Sequence, residues 1–296
     1  MIKAIIKSFR IKQWIKNTFV LAALIFDRQL TNRDATIRTF YGVFLFCLIS
    51  SSVYLLNDIM DIEVDKKHPI KKLRPIASGE LPISLAIIIA LFLIVFSLFF
   101  SYLLSPLFAL IGLIYFSVNI LYSKWLKKIP IIDVLIIALG FVLRVGAGVT
   151  LISIERFSPW LYVVTTLGAL YIGFGKRRAE LYLLKSEANK HRSVLDGYSI
   201  PYLDQLITIV SSTTIIAYSL YTFSAPNLPK NHLMMLTIPF VLYGIFRYLY
   251  LIQVKDCGGS PEEILLSDRP LQLCILLWGL SIMCIFYING ISNLFM

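Results

Sequence analysis

Four acids crowd the nine residues Asn57-Asp58-Ile59-Met60-Asp61-Ile62-Glu63-Val64-Asp65, at the end of an apolar run that begins near Phe40. On an α-helix at about 100° per residue, with Asn57 as origin, Asp61 falls at about 40°, Asp65 at about 80° and Asp58 at about 100°. Three carboxylates and the amide therefore share one arc, and Glu63, at about 240°, lies outside it. Carboxylates at the wet end of an apolar helix repel one another unless a cation joins them, and hard oxygen ligands shared with phosphate oxygens suit Mg2+. We read the stretch as a clamp for a Mg2+-bound diphosphate, with Asn57, Asp58 and Asp61 at the chemistry and Asp58, Asp61 and Asp65 as metal ligands. The alternative is a solvated helix end whose acids pair with Lys66, Lys67, Lys71 and Lys72.

Cations recur wherever an apolar run ends. Lys71, Lys72 and Arg74 follow the acids in a loop punctuated by His68-Pro69, Arg74-Pro75 and Ser78-Gly79, placed to neutralise phosphate charge. Lys16 and Asn17 close a basic, Trp-containing N-terminal segment that suits a membrane surface and a phosphate head group. Tyr122 and Lys127 stand at the end of another run, and Lys176, Arg177, Arg178 and Glu180 at the end of a third, where consecutive residues point in different directions and cannot all meet one ligand. The segment after them carries Arg192, Asp196, Tyr198 and Asp204 and reads as a candidate lid. Arg144 lies inside an apolar run, where a charge marks a functional site or a buried partner; Asp133, eleven residues earlier, falls on the same helical face. Arg247 and Asp268 form a weaker acid–base pair near the chain's end, beside a helix-start pattern at Ser260-Pro261-Glu262-Glu263.

The elements that must position these groups are membrane helices. Apolar residues make up 58% of the 296 and charged residues 15%, outside the range of soluble domains. Nine runs approach the length needed to cross a bilayer: 17–31, 36–57, 83–104, 106–122, 131–150, 158–175, 203–224, 233–252 and 271–294. No alternating pattern suggests a barrel. The expected fold is all-α and integral to the membrane, a single polytopic domain over 1–296. Polar loops recur after runs two, four, six and eight, which would let helix pairs surround one central cavity open to the cytoplasm. Residues 1–16 are expected as a retained, cytoplasmic interfacial segment, because they lack a signal-peptide core and cleavage site.

The formal net charge is +11, and its distribution decides what it means. Of 28 Lys and Arg residues, 22 fall in 1–16, 66–74, 124–128, 176–192 and 247–269, against Arg28, Arg33, Arg38, Arg156 and Lys230 on the other side. That asymmetry orients the N-terminus and the acidic cluster to the cytoplasm of a cell membrane. The excess reports topology and contact with membrane lipid and phosphates rather than nucleic acid. Cys47, Cys257, Cys274 and Cys284 lack metal or redox spacing, and His68, His191 and His232 are unclustered. Oligomeric state stays open.

The N-D-x-x-D-x-x-x-D pattern closing the second run resembles the UbiA superfamily of intramembrane prenyltransferases, over nearly the whole chain. Aromatic prenyltransferases of that superfamily carry a second aspartate pair after the sixth span, where this chain has Lys176-Arg177-Arg178-Ala179-Glu180-Leu181. Gln13-Trp14-Ile15-Lys16-Asn17, Arg74-Pro75-Ile76-Ala77-Ser78-Gly79, Gly140-Phe141-Val142-Leu143-Arg144, Phe246-Arg247-Tyr248 and Asp268-Arg269-Pro270 resemble the decaprenyl-phosphate phosphoribosyltransferase branch. The resemblance implies a Mg2+-dependent transferase that moves the 5-phosphoribosyl group of phosphoribosyl pyrophosphate (PRPP) to a polyprenyl phosphate for arabinan-type donors. It also implies that Lys16, Lys71, Arg74, Tyr122, Lys127, Arg144, Lys176, Arg177, Arg178, Glu180 and Arg247 meet the substrates. A prenyl transfer to an aromatic or glycerophosphate acceptor is the nearest alternative; a transporter, of another class, fits less well because the acids cluster at a helix end rather than at broken helices in matching halves.

Overall fold

A computed structural model describes the chain except residues 69, 154–157, 186–192, 227, 230, 256–263, 266 and 288–296. The readings above on Pro69, Arg156, His191, Arg192, Lys230, Cys257 and Ser260 to Glu263 lie outside the described residues. Among those described, the regular elements are all helical. They are α1 (Ile2–Ser8), α2 (Ala22–Phe26), α3 (Arg33–Met60), α4 (Ile62–Lys67), α5 (Ile83–Leu104), α6 (Pro106–Lys124), α7 (Ile132–Val149), α8 (Pro159–Lys185), α9 (Ile200–Ser224), α10 (Ile238–Gln253) and α11 (Arg269–Tyr287). Short 3-10 stretches join several of them.

Among the described residues, seven helices are long and apolar enough to cross a membrane: α3, α5, α6, α7, α9, α10 with the turn before it from Leu233, and α11. Two of the nine expected runs differ. Residues 159–175 of the run 158–175 form the first part of the 27-residue α8, which runs on to Lys185 and whose apolar character is diluted by Lys176, Arg177 and Arg178. Residues 17–31 do not form one α-helix but a 3-10 stretch, Ile11–Leu21, followed by the five-residue α2. Asn17 explains part of this, since its side chain is fully buried and tied to neighbouring helices rather than facing lipid.

The chain divides into two compact units. The first comprises Met1–Lys127 and Leu139–Glu155 and is centred on α3, which packs on α5 and α6. Asn32 starts α3 by accepting the Asp34 and Ala35 backbone N–H groups, the usual answer to unsatisfied donors at a helix start. Ser105 separates α5 from α6, its hydroxyl accepting the Phe108 N–H while Pro106 fills the first turn. Phe46 of α3 packs on Phe108 and Tyr115 of α6. The second part of α7 lies so close to the 3-10 stretch that a Cβ on Gly148 would stand 2.0 Å from the Val20 carbonyl oxygen.

The second unit comprises Lys128–Ala138 and Arg156–Met296. Its core joins Val134 of α7 with Tyr171 and Phe174 of α8, Leu203 and Ile207 of α9, and Tyr248 and Ile252 of α10. Ser199 caps α9. Asp268 accepts the Leu271 N–H at 2.9 Å at the start of α11.

Candidate active site

The apolar stripe of α3 ends at Met60, and Asp61 leaves the helical region (φ −97°, ψ 6°) before α4 resumes at Ile62. That break resolves the expected arc into a pair and a third acid. Asp58 and Asp65, each 2% exposed, converge on one nitrogen: Arg74 Nη1 donates to Asp58 Oδ1 at 3.0 Å and to Asp65 Oδ2 at 2.5 Å. Arg10 also donates to Asp58. Asp61 pairs instead with Lys127. Asn57 precedes Asp58 in the last turns of α3, its carbonyl accepting the Asp61 N–H at 3.0 Å.

The solvated-end alternative does not describe this cluster. Asp58 and Asp65 are buried and take their cations from arginines at 10 and 74, not from Lys66, Lys67, Lys71 or Lys72. Only Glu63 behaves that way: it is exposed and pairs with Lys66 at 2.9 Å, a hydrogen bond that holds its carboxyl below its usual range. The loop that returns Arg74 to the acids turns at Gly79, whose φ of 83° suits a residue without a Cβ.

Two buried carboxylates facing one positive point fit the way Mg2+ is usually held, by one or two protein carboxylates together with phosphate oxygens and water. A protein-only cage is not formed, since among the described residues no three His, Cys, Asp or Glu side chains group closely enough to hold a metal. Substrate oxygens would have to complete the shell.

Arg144 does not face Asp133. Its Nε donates to Asn17 Oδ1 at 2.8 Å, Nη1 to the Gly140 carbonyl at 2.7 Å and Nη2 to the Tyr115 hydroxyl at 2.7 Å, with the guanidinium 4.7 Å from the Tyr115 ring centre. A cation at mid-span costs about 2.5–3.5 kcal/mol on insertion scales. Three charge-assisted bonds of about 1.5–3 kcal/mol each suffice to offset it.

In the second unit Asp133 belongs to Arg177, which donates from Nε at 2.5 Å and also pairs with Glu180. The Tyr198 hydroxyl donates to Asp133 at 2.7 Å and accepts the Ile131 N–H at 2.5 Å; burial pushes this phenol well above its usual range. That bond holds Ile131 at φ 69°, a conformation a β-branched residue adopts only when its surroundings impose it. Arg178 donates to Asp204 at 2.6 Å and to the Ile252 carbonyl at 2.6 Å. Arg247 forms a two-pronged pair with Asp268, at 3.2 and 2.8 Å. Tyr198 and Asp204, expected on a lid, are thus tied into helix-joining networks, and the same holds for Arg177, Arg178 and Arg247, expected at substrate.

Lys16, Tyr122 and Lys176 are half-buried and Lys71 is exposed. Sequence reasoning missed Arg10, Tyr115 and the wholly buried run Ser50-Ser51-Ser52. The serines carried a signal, three hydroxyls in the middle of an apolar span; Arg10 read only as the start of the basic N-terminal segment, its pairing with Asp58 hidden without the path of the chain, and Tyr115 carried no signal.

The profile of the UbiA prenyltransferase family matches residues 18–262. The chain is 35% identical over 292 residues to a decaprenyl-phosphate phosphoribosyltransferase of Corynebacterium glutamicum, covering 96% of this chain and 86% of that protein. It is 34% identical over 293 residues to a protein of the same name from Mycolicibacterium smegmatis, covering 94% and 91%. A UbiA homologue from Archaeoglobus fulgidus, solved with DMAPP and Mg2+, has a similar fold, with a TM-score of 0.73 at 18% identity over 95% of this chain and 98% of that one.

Proposed function

The chain belongs to the UbiA prenyltransferase family, and from that membership we propose that it transfers the 5-phosphoribosyl group of PRPP to a polyprenyl phosphate and releases pyrophosphate. The observation that carries the chemistry is the convergence of Asp58 and Asp65 on one cationic point. The choice of substrates rests on relatives of that name matched over most of both chains. Asp58 and Asp65 would hold Mg2+, with Asp61 and Asn57 beside them. When bound, the metal would supply Lewis-acid and templating chemistry to the pyrophosphate.

The chain's own groups account for the rest. Arg74, now on Asp58 and Asp65, and Lys127, now on Asp61, are the cations that would meet the diphosphate oxygens. Lys16, Lys71 and Tyr122, all in the first unit, are further candidates to meet the substrates' phosphates. The acceptor phosphate is already an anion, so no strong general base is required, and positioning with electrostatics carries the rate. Arg177, Arg178, Glu180 and Arg247, with Lys176 beside them, act in this reading by holding the second unit's helices in place.

The protein is multi-pass, and we read its acidic cluster as cytoplasmic from the asymmetry of Lys and Arg. Two further crossings would complete the nine expected: α8, and the part of residues 17–31 formed by the end of the 3-10 stretch and α2.

Offering the purified protein ribose-labelled PRPP with polyprenyl phosphate, and in parallel a prenyl diphosphate with an aromatic acid, tests the proposal. Labelled lipid should form from the first pair, and no prenylated aromatic acid from the second. Product from the second pair alone would hand the site to prenyl transfer.

A further inference from the structure

Arg144 is 4% exposed, its three hydrogen-bond acceptors are neutral (the Asn17 side chain, the Gly140 carbonyl and the Tyr115 hydroxyl), and its other contacts are the Phe46, Tyr115 and Phe141 rings. An arginine kept inside a span without a carboxylate needs a reason. One partner, Asn17, is fully buried and has both ends of its amide engaged. Its oxygen accepts from Arg144 of α7, and its nitrogen donates to Ser50 Oγ at 3.0 Å and to Cys47 Sγ at 3.2 Å, both on α3. Asn17 thus fixes the segment Ile11–Leu21 to two helices at once. A second tie lies one turn away, where Trp14 Nε1 donates to Ser51 Oγ at 3.0 Å, while the Ser51 hydroxyl donates to the Cys47 carbonyl at 2.8 Å on its own helix.

Arg10 opens this segment in the left-handed region (φ 51°, ψ 53°), and its guanidinium reaches Asp58 and lies 5.1 Å from the Tyr54 ring centre. A non-glycine residue keeps that conformation when surrounding ties impose it. The register of the strap on α3 therefore decides whether Arg10 meets the acidic pair.

We propose that Arg144 is a positioning residue: it orients Asn17, which sets the strap on α3 and thereby places Arg10 at Asp58. The inference rests on the reading of Asp58 as part of the diphosphate site. A direct phosphate contact by Arg144 is the competing assignment, and three of its five N–H groups already held at 2.7–2.8 Å by protein groups speak against it.

The test uses full-length Arg144→Lys, which keeps the charge but loses the fork, and Asn17→Ala, each alone and combined with Arg10→Gln. Pyrophosphate release from PRPP gives kcat and KM, and brief trypsin treatment followed by mass measurement reports cleavage after Lys12 or Lys16 against cleavage after Lys72 or Lys128. Each single variant should raise KM for PRPP about fivefold or more, as expected for a lost charge-assisted hydrogen bond. Neither should add to the effect of Arg10→Gln, and both should speed cleavage in the strap alone. An Arg144→Lys effect undiminished in the Arg10→Gln background, or strap cleavage unchanged in both variants, overturns the proposal. Should the wild-type protein release no pyrophosphate from PRPP, the phosphoribosyl reading fails, and the cleavage pattern, which needs no substrate, decides the positioning claim by itself.

Discussion

Asp58 and Asp65 stand two helical turns apart, and the kink at Asp61 leaves both aimed at the same Arg74 nitrogen. Buried acids so placed need a cation in every state, and Arg74 fills that place in this structure. Removing one member of a fully buried pair costs about 3–5 kcal/mol; Arg10 on Asp58 and the quarter-exposed Arg74 side chain reduce the figure here. Arg74→Gln should therefore lower the thermal midpoint by several degrees in detergent, and Mg2+ with pyrophosphate should restore more of it than the same addition gives wild type. No response to Mg2+ in either protein would remove the cation-site reading. The acids were legible in the sequence because helical period alone groups them, apart from Asp61, which the kink diverts to Lys127. Their cations were not, because Arg10 arrives from 48 residues away along a path no local pattern encodes.

Helices were readable where apolar length set them, and less so where polar side chains did. α3, α5, α6 and α9 to α11 follow the runs seen in the sequence, whereas residues 17–31 broke up because Asn17 is held inside the unit. The stretch Gly146-Ala147-Gly148 pointed to close packing, and the approach of Val20 to Gly148 realises it. Gly148→Ala should cost about 1–3 kcal/mol through overpacking against backbone that cannot turn aside; a thermal midpoint equal to wild type would refute the contact. At the other end of the chain, Asp268 both pins Arg247 and caps α11, and its hydrogen bond from Arg247 holds its carboxyl below the usual range. A lowered folded pKa means the contribution is present above the unfolded value near pH 4 and is lost as pH falls through the folded one. Asp268→Asn keeps an oxygen for the cap but loses the charge that faces Arg247, so it should lower the thermal midpoint at neutral pH slightly, and the gap to wild type should narrow below about pH 4. A gap independent of pH would show that the carboxylate charge is not involved.

At the scale of the whole chain, composition and the Lys and Arg asymmetry sufficed for a multi-pass helical protein, and the order of motifs for its family. The division of labour between basic residues was hidden, since Lys176 to Arg178 look alike in sequence and only packing separates helix-tying arginines from the cations on the acidic pair. Orientation is checked by single cysteines in a cysteine-free background: Ser78→Cys and Lys124→Cys should react with an impermeant maleimide from the cytoplasmic side, and Thr31→Cys from the opposite side. Reaction of Ser78→Cys and Thr31→Cys from the same face would break the topology. The central claim, that Asp58 serves a Mg2+-bound diphosphate of PRPP, is tested most directly by pyrophosphate release from PRPP in the presence of polyprenyl phosphate, measured for wild type and Asp58→Asn with and without Mg2+. Several kcal/mol of charge stabilisation at about 1.4 kcal/mol per factor of ten predict a loss of about 10²-fold or more in kcat for the variant, and abolition by EDTA in wild type. Release by Asp58→Asn at the wild-type rate, or release unaffected by EDTA, would contradict the account.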